Sequence, residues 1–168
     1  GVVPSKHFIS DISIYKKSFT DTFSKYFGKL EELCILALLP SYLEQENSSL
    51  VFMVDELIKK TNNSLSGFYL DETEALIEKI HHLEETGQKT MLLGVSYALL
   101  DLIEMNSFEL KNTLIMETGG MKGRRKEMIK EELHHTLKKG FGVSTIYSEY
   151  GMTELLSQAY SKGNGLFT

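Results

Sequence analysis

Residues 144–161, STIYSEYGMTELLSQAYS, begin with the pattern of a strand and continue with that of a helix. At the junction, Tyr150 and Gly151 are followed closely by Thr153 and Glu154. A threonine hydroxyl and the N–H groups of a helix start can bind phosphate, while a glutamate oxygen can bind a hard cation. The same residues also suit an ordinary helix start, with Thr153 as N-cap and Glu154 in the first turn. The residues alone favour neither interpretation.

A second segment, ETGGMKGRR, is rich in glycine and follows another predicted strand. Gly119 and Gly120 would let a ligand approach the backbone closely. The glycine spacing is that of neither a phosphate-binding P-loop nor a dinucleotide fingerprint. Gly-Gly turns are common, so the segment by itself favours a plain surface turn.

The apolar pattern predicts alternating strands and helices after an amphipathic helix that begins at Asp11 and ends before Gly28. Such alternation is typical of a parallel sheet covered by helices on both sides. We therefore predict a single α/β domain over residues 1–168, with an N-terminal helix in 1–28 and the core in 29–168. The fold is a three-layer α/β/α arrangement with a mainly parallel sheet of about four strands: Leu33–Leu39, Lys89–Gly94, Thr113–Met116 and Ser144–Ser148.

The loops after these strands are the expected binding region, because ligands of parallel α/β sheets bind beyond the carboxyl ends of the strands. They contain the segments LLPSYLE, LGVSYALL, METGGMKGRR and SEYGMTELL. We expect the bend at Gly119 and Gly120 to lie at the same edge as the corner from Tyr150 to Glu154.

Composition restricts the function classes. The net charge of -5 and pI of about 5.6 disfavour nucleic-acid binding, and no apolar run reaches the roughly 20 residues of a membrane span. Cys34 lies in an apolar run and is predicted to be a core residue of a protein in a reducing cytoplasm. The pairs His81–His82 and His134–His135 lie on charged helices, where we expect solvated side chains rather than metal ligands.

The motif YGMTE resembles the aromatic-Gly-x-Thr-Glu motif of the adenylate-forming superfamily of acyl-CoA synthetases, adenylation domains and luciferases. Three earlier segments, LLPSY, GVSYALLDLIE and ETGGMKGRRKE, resemble segments of that superfamily in the same order. The last of these, followed by SEYGMTELLSQAYS, looks closest to the acyl-protein synthetases of the LuxE type. The resemblance extends over most of the chain from about Leu33 onward.

In that family, ATP and a carboxylic acid such as a fatty acid form an acyl-adenylate, and the acyl group passes to a protein thiol. The resemblance implies catalytic roles for Thr153, which would contact phosphate, and for Glu154, which would hold Mg²⁺. It also implies a nucleotide site in which Gly119 and Gly120 border adenine. The residues that the resemblance assigns to nucleotide binding are Gly119, Gly120, Tyr150, Gly151, Met152 and Thr153.

Three parts of the superfamily pattern have no counterpart in the sequence. They are the phosphate loop, expected between Gly1 and Leu33, the downstream TGD-like segment and the carboxyl-terminal domain with its catalytic lysine. We therefore expect the central part of a larger enzyme, or a degenerate homologue, with about half a nucleotide site and little or no activity alone. Its sheet edge could pair two copies. The alternative, from a different class, is a non-catalytic flavodoxin-like domain that binds a ligand or partner at the same strand ends.

Overall fold

The structure, a computed structural model, describes residues 10–39, 48–121, 123–152, 155–163 and 166–167. Helices and strands alternate along most of this part of the chain. The helices are α1 (Ile12–Phe27), α2 (Ser49–Ile58), α3 (Thr73–Glu85), α4 (Ser96–Met105) and α5 (Lys130–Phe141). The strands are β1 (Cys34–Leu38), β2 (Gly67–Phe68), β3 (Thr90–Val95), β4 (Thr113–Thr118), β5 (Ile146–Met152) and β6 (Ser157–Ser161).

The strands form one six-stranded sheet in the order β2-β1-β3-β4-β5-β6. Neighbouring strands from β2 to β5 are parallel, and β6 is antiparallel to β5. Every residue of β1 and of β3 is buried, which explains their continuous apolar sequences. The predicted α/β class and mainly parallel sheet are therefore confirmed, and the four predicted strands correspond to β1, β3, β4 and β5.

Helices cover both faces of this sheet. On one face, α1 contacts α2 and β6, and on the other α4 contacts α5. Right-handed crossovers explain this division. The chain crosses the sheet from β1 to β2 in one direction, which places α2 on one face, and then from β3 to β5 in the opposite direction, which places α4 and α5 on the other face. The buried stripe of α1 is aromatic, and the Asp11 carboxylate caps the helix by accepting a hydrogen bond from the Ser13 N–H.

The chain departs from the sequence prediction most clearly after Tyr150. The predicted helix there is wrong, because β5 continues to Met152 and Ser157–Ser161 returns as β6. Pairing with β5 lets the Tyr160 ring pack against Phe23 and Phe27 of α1, an interaction that local sequence patterns do not reveal.

Three smaller differences concern other elements. The short strand β2 was not predicted. Helix α3 begins at Thr73 rather than directly after Asp71, and α5 begins at Lys130 rather than Lys126.

Two expectations from the sequence concern the burial of Cys34 and membrane-spanning helices. Cys34 is completely buried in β1, as predicted for a core residue, and burial raises the pKa of its thiol. Within the described residues, no helix combines the length and apolarity needed to cross a bilayer.

Replacing Gly140 with alanine tests the packing of α4 against α5. A Cβ at this position would lie 2.6 Å from the Ile103 Cβ. We expect a loss of about 1 to 3 kcal/mol in the free energy of unfolding, although alanine has the better helix propensity by about 1 kcal/mol. Denaturant unfolding measures the change, and Lys139→Ala at the exposed preceding position is the control. An unchanged or higher midpoint for Gly140→Ala would contradict the close packing.

Candidate functional site

The carboxyl ends of β4 and β5 lie side by side and open into one pocket. The register pairs Glu117 with Ser148, so the residues that follow in each strand reach the same edge of the sheet. There they border a cavity of about 220 Å³, to which the start of α2 also contributes. Its lining residues are Ser49, Leu50, Thr118, Gly119, Glu149, Tyr150, Gly151 and Gln158.

This pocket brings together three of the predicted site residues, Gly119, Tyr150 and Gly151. Gly119 has a φ of 67°, a conformation that glycine adopts without strain. Gly120 and Met152 are described but do not line the pocket. Thr153 and Glu154 lie outside the described residues, as do residues 40–47 after β1. The geometry therefore brings the Gly119 bend next to the Tyr150–Gly151 segment of β5.

Tyr150 contributes an exposed aromatic ring to the pocket, whereas Gly151 contributes only backbone. The Tyr150 side chain is 55% exposed and its ring makes an edge contact with Phe167, with 6.0 Å between centroids. Gly151 is closely covered by neighbouring side chains, because a Cβ at its position would lie 2.9 Å from Gln158 Oε1 and 3.0 Å from Glu149 Oε1. An exposed ring therefore stands beside a glycine at which any larger residue would collide with Glu149 and Gln158.

Glu149 is a buried carboxylate in the wall of this pocket. Only 9% of the residue is exposed, and the Thr118 hydroxyl donates a hydrogen bond of 2.8 Å to its Oε2. Burial raises the pKa of the Glu149 carboxyl, the Thr118 hydrogen bond opposes this effect, and the nearby Glu117 carboxylate adds to it. A buried acid with a raised pKa in a cleft is a frequent feature of functional sites. Glu149 was not among the predicted site residues, although period-two alternation in β5 places it on the same face as Gly151.

A second buried carboxylate, Glu117, lies on the opposite face of the sheet. Its Oε1 accepts hydrogen bonds from the Ser148 hydroxyl at 2.5 Å and from the Lys130 ammonium at 2.9 Å, and lies 3.2 Å from His134 Nε2. The Ser96 hydroxyl lies 3.4 Å from Glu117 Oε2. We call these five residues the Glu117 cluster. It joins the end of β4 and the first half of β5 to the first turns of α4 and α5.

Hydrogen bonds decide the charge state of Glu117. Burial alone would raise the pKa of its carboxyl, but hydrogen bonds from His134, Ser148 and Lys130 outweigh burial and hold the pKa below its ordinary value. The Glu117 cluster is not a nucleophilic triad, because Ser148 is completely buried and its hydroxyl donates to Glu117. The cluster therefore stabilises the pairing of β4 with β5 at Glu117 and Ser148.

The prediction for His134 is wrong, since its side chain is buried in the Glu117 cluster rather than solvated. The signal was in the sequence: His134 follows Leu133 and lies on the same stripe as Leu137 and Phe141, which are buried in α5. His135 is exposed, as predicted. Among the residues that the structure describes, no group of three or more His, Cys, Asp or Glu side chains is arranged to hold a metal ion.

Comparison with known proteins supports the fold. No family model matches the chain, and no curated protein matches it significantly. The solved structures similar to it include coronafacic acid ligase from Pectobacterium brasiliense, with 21% identity, a TM-score of 0.48 and coverage of 79% of this chain and 24% of that one. A mutant form of the same ligase gives a TM-score of 0.51 at 18% identity, with coverage of 89% of this chain and 28% of that one. The second match shows that the chain has the fold of roughly a quarter of that ligase.

Replacing Glu149 with glutamine tests whether its buried charge costs stability. Because the folded-state pKa is raised, the wild-type protein loses stability as pH rises from the unfolded value of about 4.3 through the folded value. We expect Glu149→Gln to raise the free energy of unfolding at pH 7 by about 1 kcal/mol, with a smaller gain near pH 4. Denaturant titrations measure both, with exposed Glu78→Gln as the control. A lower stability of Glu149→Gln at pH 7 would contradict the assignment.

Replacing Glu117 with glutamine should have the opposite effect. The lowered pKa means that Glu117 stabilises the fold above about pH 4.3 and that this contribution is lost as pH falls through the folded value. We expect Glu117→Gln to lose about 2 kcal/mol of unfolding free energy at neutral pH and clearly less in acid. The same denaturant titrations measure this loss. An equal loss at both pH values would show that the carboxylate charge contributes nothing to the Glu117 cluster.

Proposed function

We propose that the chain is the central part of an ATP-dependent ligase of the adenylate-forming superfamily. The ligase activates a carboxylic acid as its acyl-adenylate and transfers the acyl group to a thiol, in the manner of the LuxE-type acyl-protein synthetases. The observation that carries this proposal is that Gly119, Tyr150 and Gly151 line the same pocket at the carboxyl edge of the sheet. Two segments that resemble nucleotide-contacting motifs thus meet at the edge where parallel sheets bind ligands.

Pocket size and shape support binding of part of a nucleotide. A volume of about 220 Å³ is below the roughly 300–1,000 Å³ of pockets for drug-sized ligands. It suits a flat base better than a complete nucleotide, with Gly119 allowing close approach to the backbone and Tyr150 offering an exposed ring for stacking. In our proposal, other parts of a larger enzyme complete the nucleotide site.

The proposed reaction joins the carboxylate of the acid to the α-phosphate of ATP. A carboxylate oxygen attacks the α-phosphorus, the bond between that phosphorus and the bridging oxygen breaks, and pyrophosphate leaves. The reaction brings negative groups together, so it needs positive charge and hydrogen-bond donors, and Mg²⁺ supplies part of that charge. We propose that Glu154 holds the metal ion and that Thr153 donates to a phosphate oxygen.

The acyl acceptor is proposed to be a thiol on another protein. Its sulfur attacks the acyl carbon, the bond between that carbon and the phosphate oxygen breaks, and AMP leaves. Cys34 is completely buried in β1 and burial raises the pKa of its thiol, so it lacks the exposed thiolate that acyl transfer requires. The reducing cytoplasm would keep a partner's thiol available. The fatty nature of the acid rests on the resemblance to acyl-protein synthetases.

Pyrophosphate exchange tests the proposed reaction in the purified full-length enzyme of which the chain is proposed to be the central part. We expect ATP to incorporate labelled pyrophosphate only when a carboxylic acid and Mg²⁺ are present. Glu154→Ala should lower this exchange by about a hundredfold, since a lost metal contact of about 3 kcal/mol has that effect on rate. Glu78→Ala, at an exposed position of α3, should leave exchange unchanged.

The outcomes separate the proposed ligase from a non-catalytic flavodoxin-like domain. Ligand binding at the pocket without carboxylate-dependent exchange would favour the non-catalytic domain. Exchange that survives Glu154→Ala unchanged would contradict the proposed metal ligand while leaving the ligase reaction standing.

A further inference from the structure

Leu156, the residue directly before β6, has an unusual backbone conformation. Among the residues that the structure describes, it is the only one other than glycine with a positive φ, which is 51°. This left-handed conformation is unfavourable for a residue with a Cβ, and it persists only where the surrounding structure holds it in place. Strained backbone of this kind is concentrated at functional sites. The contacts of Leu156 therefore show what holds the chain where it enters β6.

Helix α1 holds Leu156 by a hydrogen bond between distant parts of the chain. The Ser18 hydroxyl donates to the Leu156 carbonyl oxygen at 2.8 Å, and both residues are partly buried. The Leu156 side chain also packs against the hydrophobic core. The Ser18 hydrogen bond and this packing therefore offset the unfavourable backbone conformation.

The same helix holds Gln158, which lines the pocket. The Gln158 side-chain amide donates to the Tyr15 hydroxyl at 3.2 Å. Tyr15 lies three residues before Ser18, so one face of α1 presents both hydroxyls to the start of β6. Gln158 pairs with Gly151 in the register of β5 and β6, and both line the pocket. Contacts with α1 therefore set the position of this wall of the pocket.

Helix α1 also contacts α2, whose start forms another part of the pocket wall. The Lys16 ammonium forms an ion pair of 2.8 Å with Glu56, and the Tyr15 ring stacks with Phe52, with 6.2 Å between centroids. Helix α2 begins at Ser49, which lines the pocket. One helix that does not itself line the pocket is thus attached to two of its walls.

We propose that Ser18 and Tyr15 are positioning residues that keep Leu156 and Gln158 in the conformation that forms the pocket. Without the Ser18 hydroxyl, Leu156 leaves the left-handed region in a fraction of the molecules, and the start of β6 moves with it. A ligand binds only the molecules whose pocket is formed, so its apparent affinity falls with that fraction. The consequence for catalysis rests on the proposed function, whereas the attachment of β6 to α1 does not.

Ser18→Ala tests the hydroxyl in the full-length enzyme of which the chain is proposed to be the central part. In pyrophosphate exchange, we expect the KM for ATP to rise about fivefold, which corresponds to about 1 kcal/mol from one hydrogen bond. The kcat should stay near the wild-type value, because bound ATP restores the formed pocket. A purely structural role predicts the reverse, since fewer folded molecules would lower kcat and leave KM unchanged.

Matched variants assign the effect to the hydroxyl. Ser18→Thr keeps a hydroxyl at this position and should retain a KM close to that of the wild-type enzyme. Tyr15→Phe removes the acceptor of the Gln158 amide and should raise the KM in the same direction. Ser107→Ala, which removes a serine hydroxyl at an exposed position, should leave both KM and kcat unchanged.

Deuterium uptake of the same enzyme without ligand tests the attachment independently of catalysis. Ser18→Ala should speed uptake in peptides that cover residues 155–161. Peptides that cover β1 and β3 should be unchanged, because these strands are not neighbours of β6 in the sheet. Ser18→Thr should take up deuterium as the wild-type enzyme does.

The inference is overturned if Ser18→Ala leaves uptake at residues 155–161 unchanged, or if it speeds uptake without raising the KM. This failure is distinguishable from failure of the proposed function. Pyrophosphate exchange with an unchanged KM in Ser18→Ala would retain the ligase and remove the positioning role. A wild-type enzyme without pyrophosphate exchange would remove the ligase, and the deuterium measurement would then decide the inference alone.

Discussion

The parallel pairing of β4 with β5 is the constraint on which the site depends. Glu117 lies opposite Ser148 in the register, and the Ser148 hydroxyl donates to the Glu117 carboxylate across the two strands. Beyond this point β4 reaches its bend at Gly119 while β5 continues to Gly151, so both segments border one cavity. A shift of one residue in this register would reverse the side-chain directions of β5 and remove Glu149 from the pocket.

Alternation along these strands gives two neighbouring carboxylates opposite environments. Glu117 faces α4 and α5, where Lys130, Ser148 and His134 surround it, and its pKa is lowered. Glu149 faces the other side, where Thr118 is its one described hydrogen-bond donor, and its pKa is raised mainly by burial. The paired acid stabilises the sheet, whereas the unpaired acid costs stability at the position where a ligand would be bound.

Most of the architecture could be predicted from the sequence because the apolar runs of β1 and β3 and the stripes of the helices are strong local signals. Because ligands of parallel sheets bind beyond the carboxyl ends of the strands, Gly119 and Tyr150 were expected to share an edge of the sheet. Both line the pocket. The strand β6 could not be predicted locally, because the burial of Tyr160 against α1 depends on contacts between distant parts of the chain.

The polar residues of the site were harder to predict than the fold. Glu149 and Gln158 become neighbours only through the antiparallel pairing of β5 with β6, and Glu117 meets His134 only when α5 packs on the sheet. The proposed roles of Thr153 and Glu154 rest on the resemblance of their motif. Of that motif, the structure describes the first three residues, Tyr150, Gly151 and Met152.

Hydrogen–deuterium exchange in the presence of ATP and Mg²⁺ tests the central claim most directly, because it reports on separate segments of the backbone in one measurement. If the ends of β4 and β5 form one ligand site, ATP will slow exchange in peptides that cover Gly119 and in peptides that cover Tyr150 and Gly151, with no change around the exposed turn at Gly87. Protection of only one of the two segments, or protection confined to another edge of the sheet, would contradict a shared site.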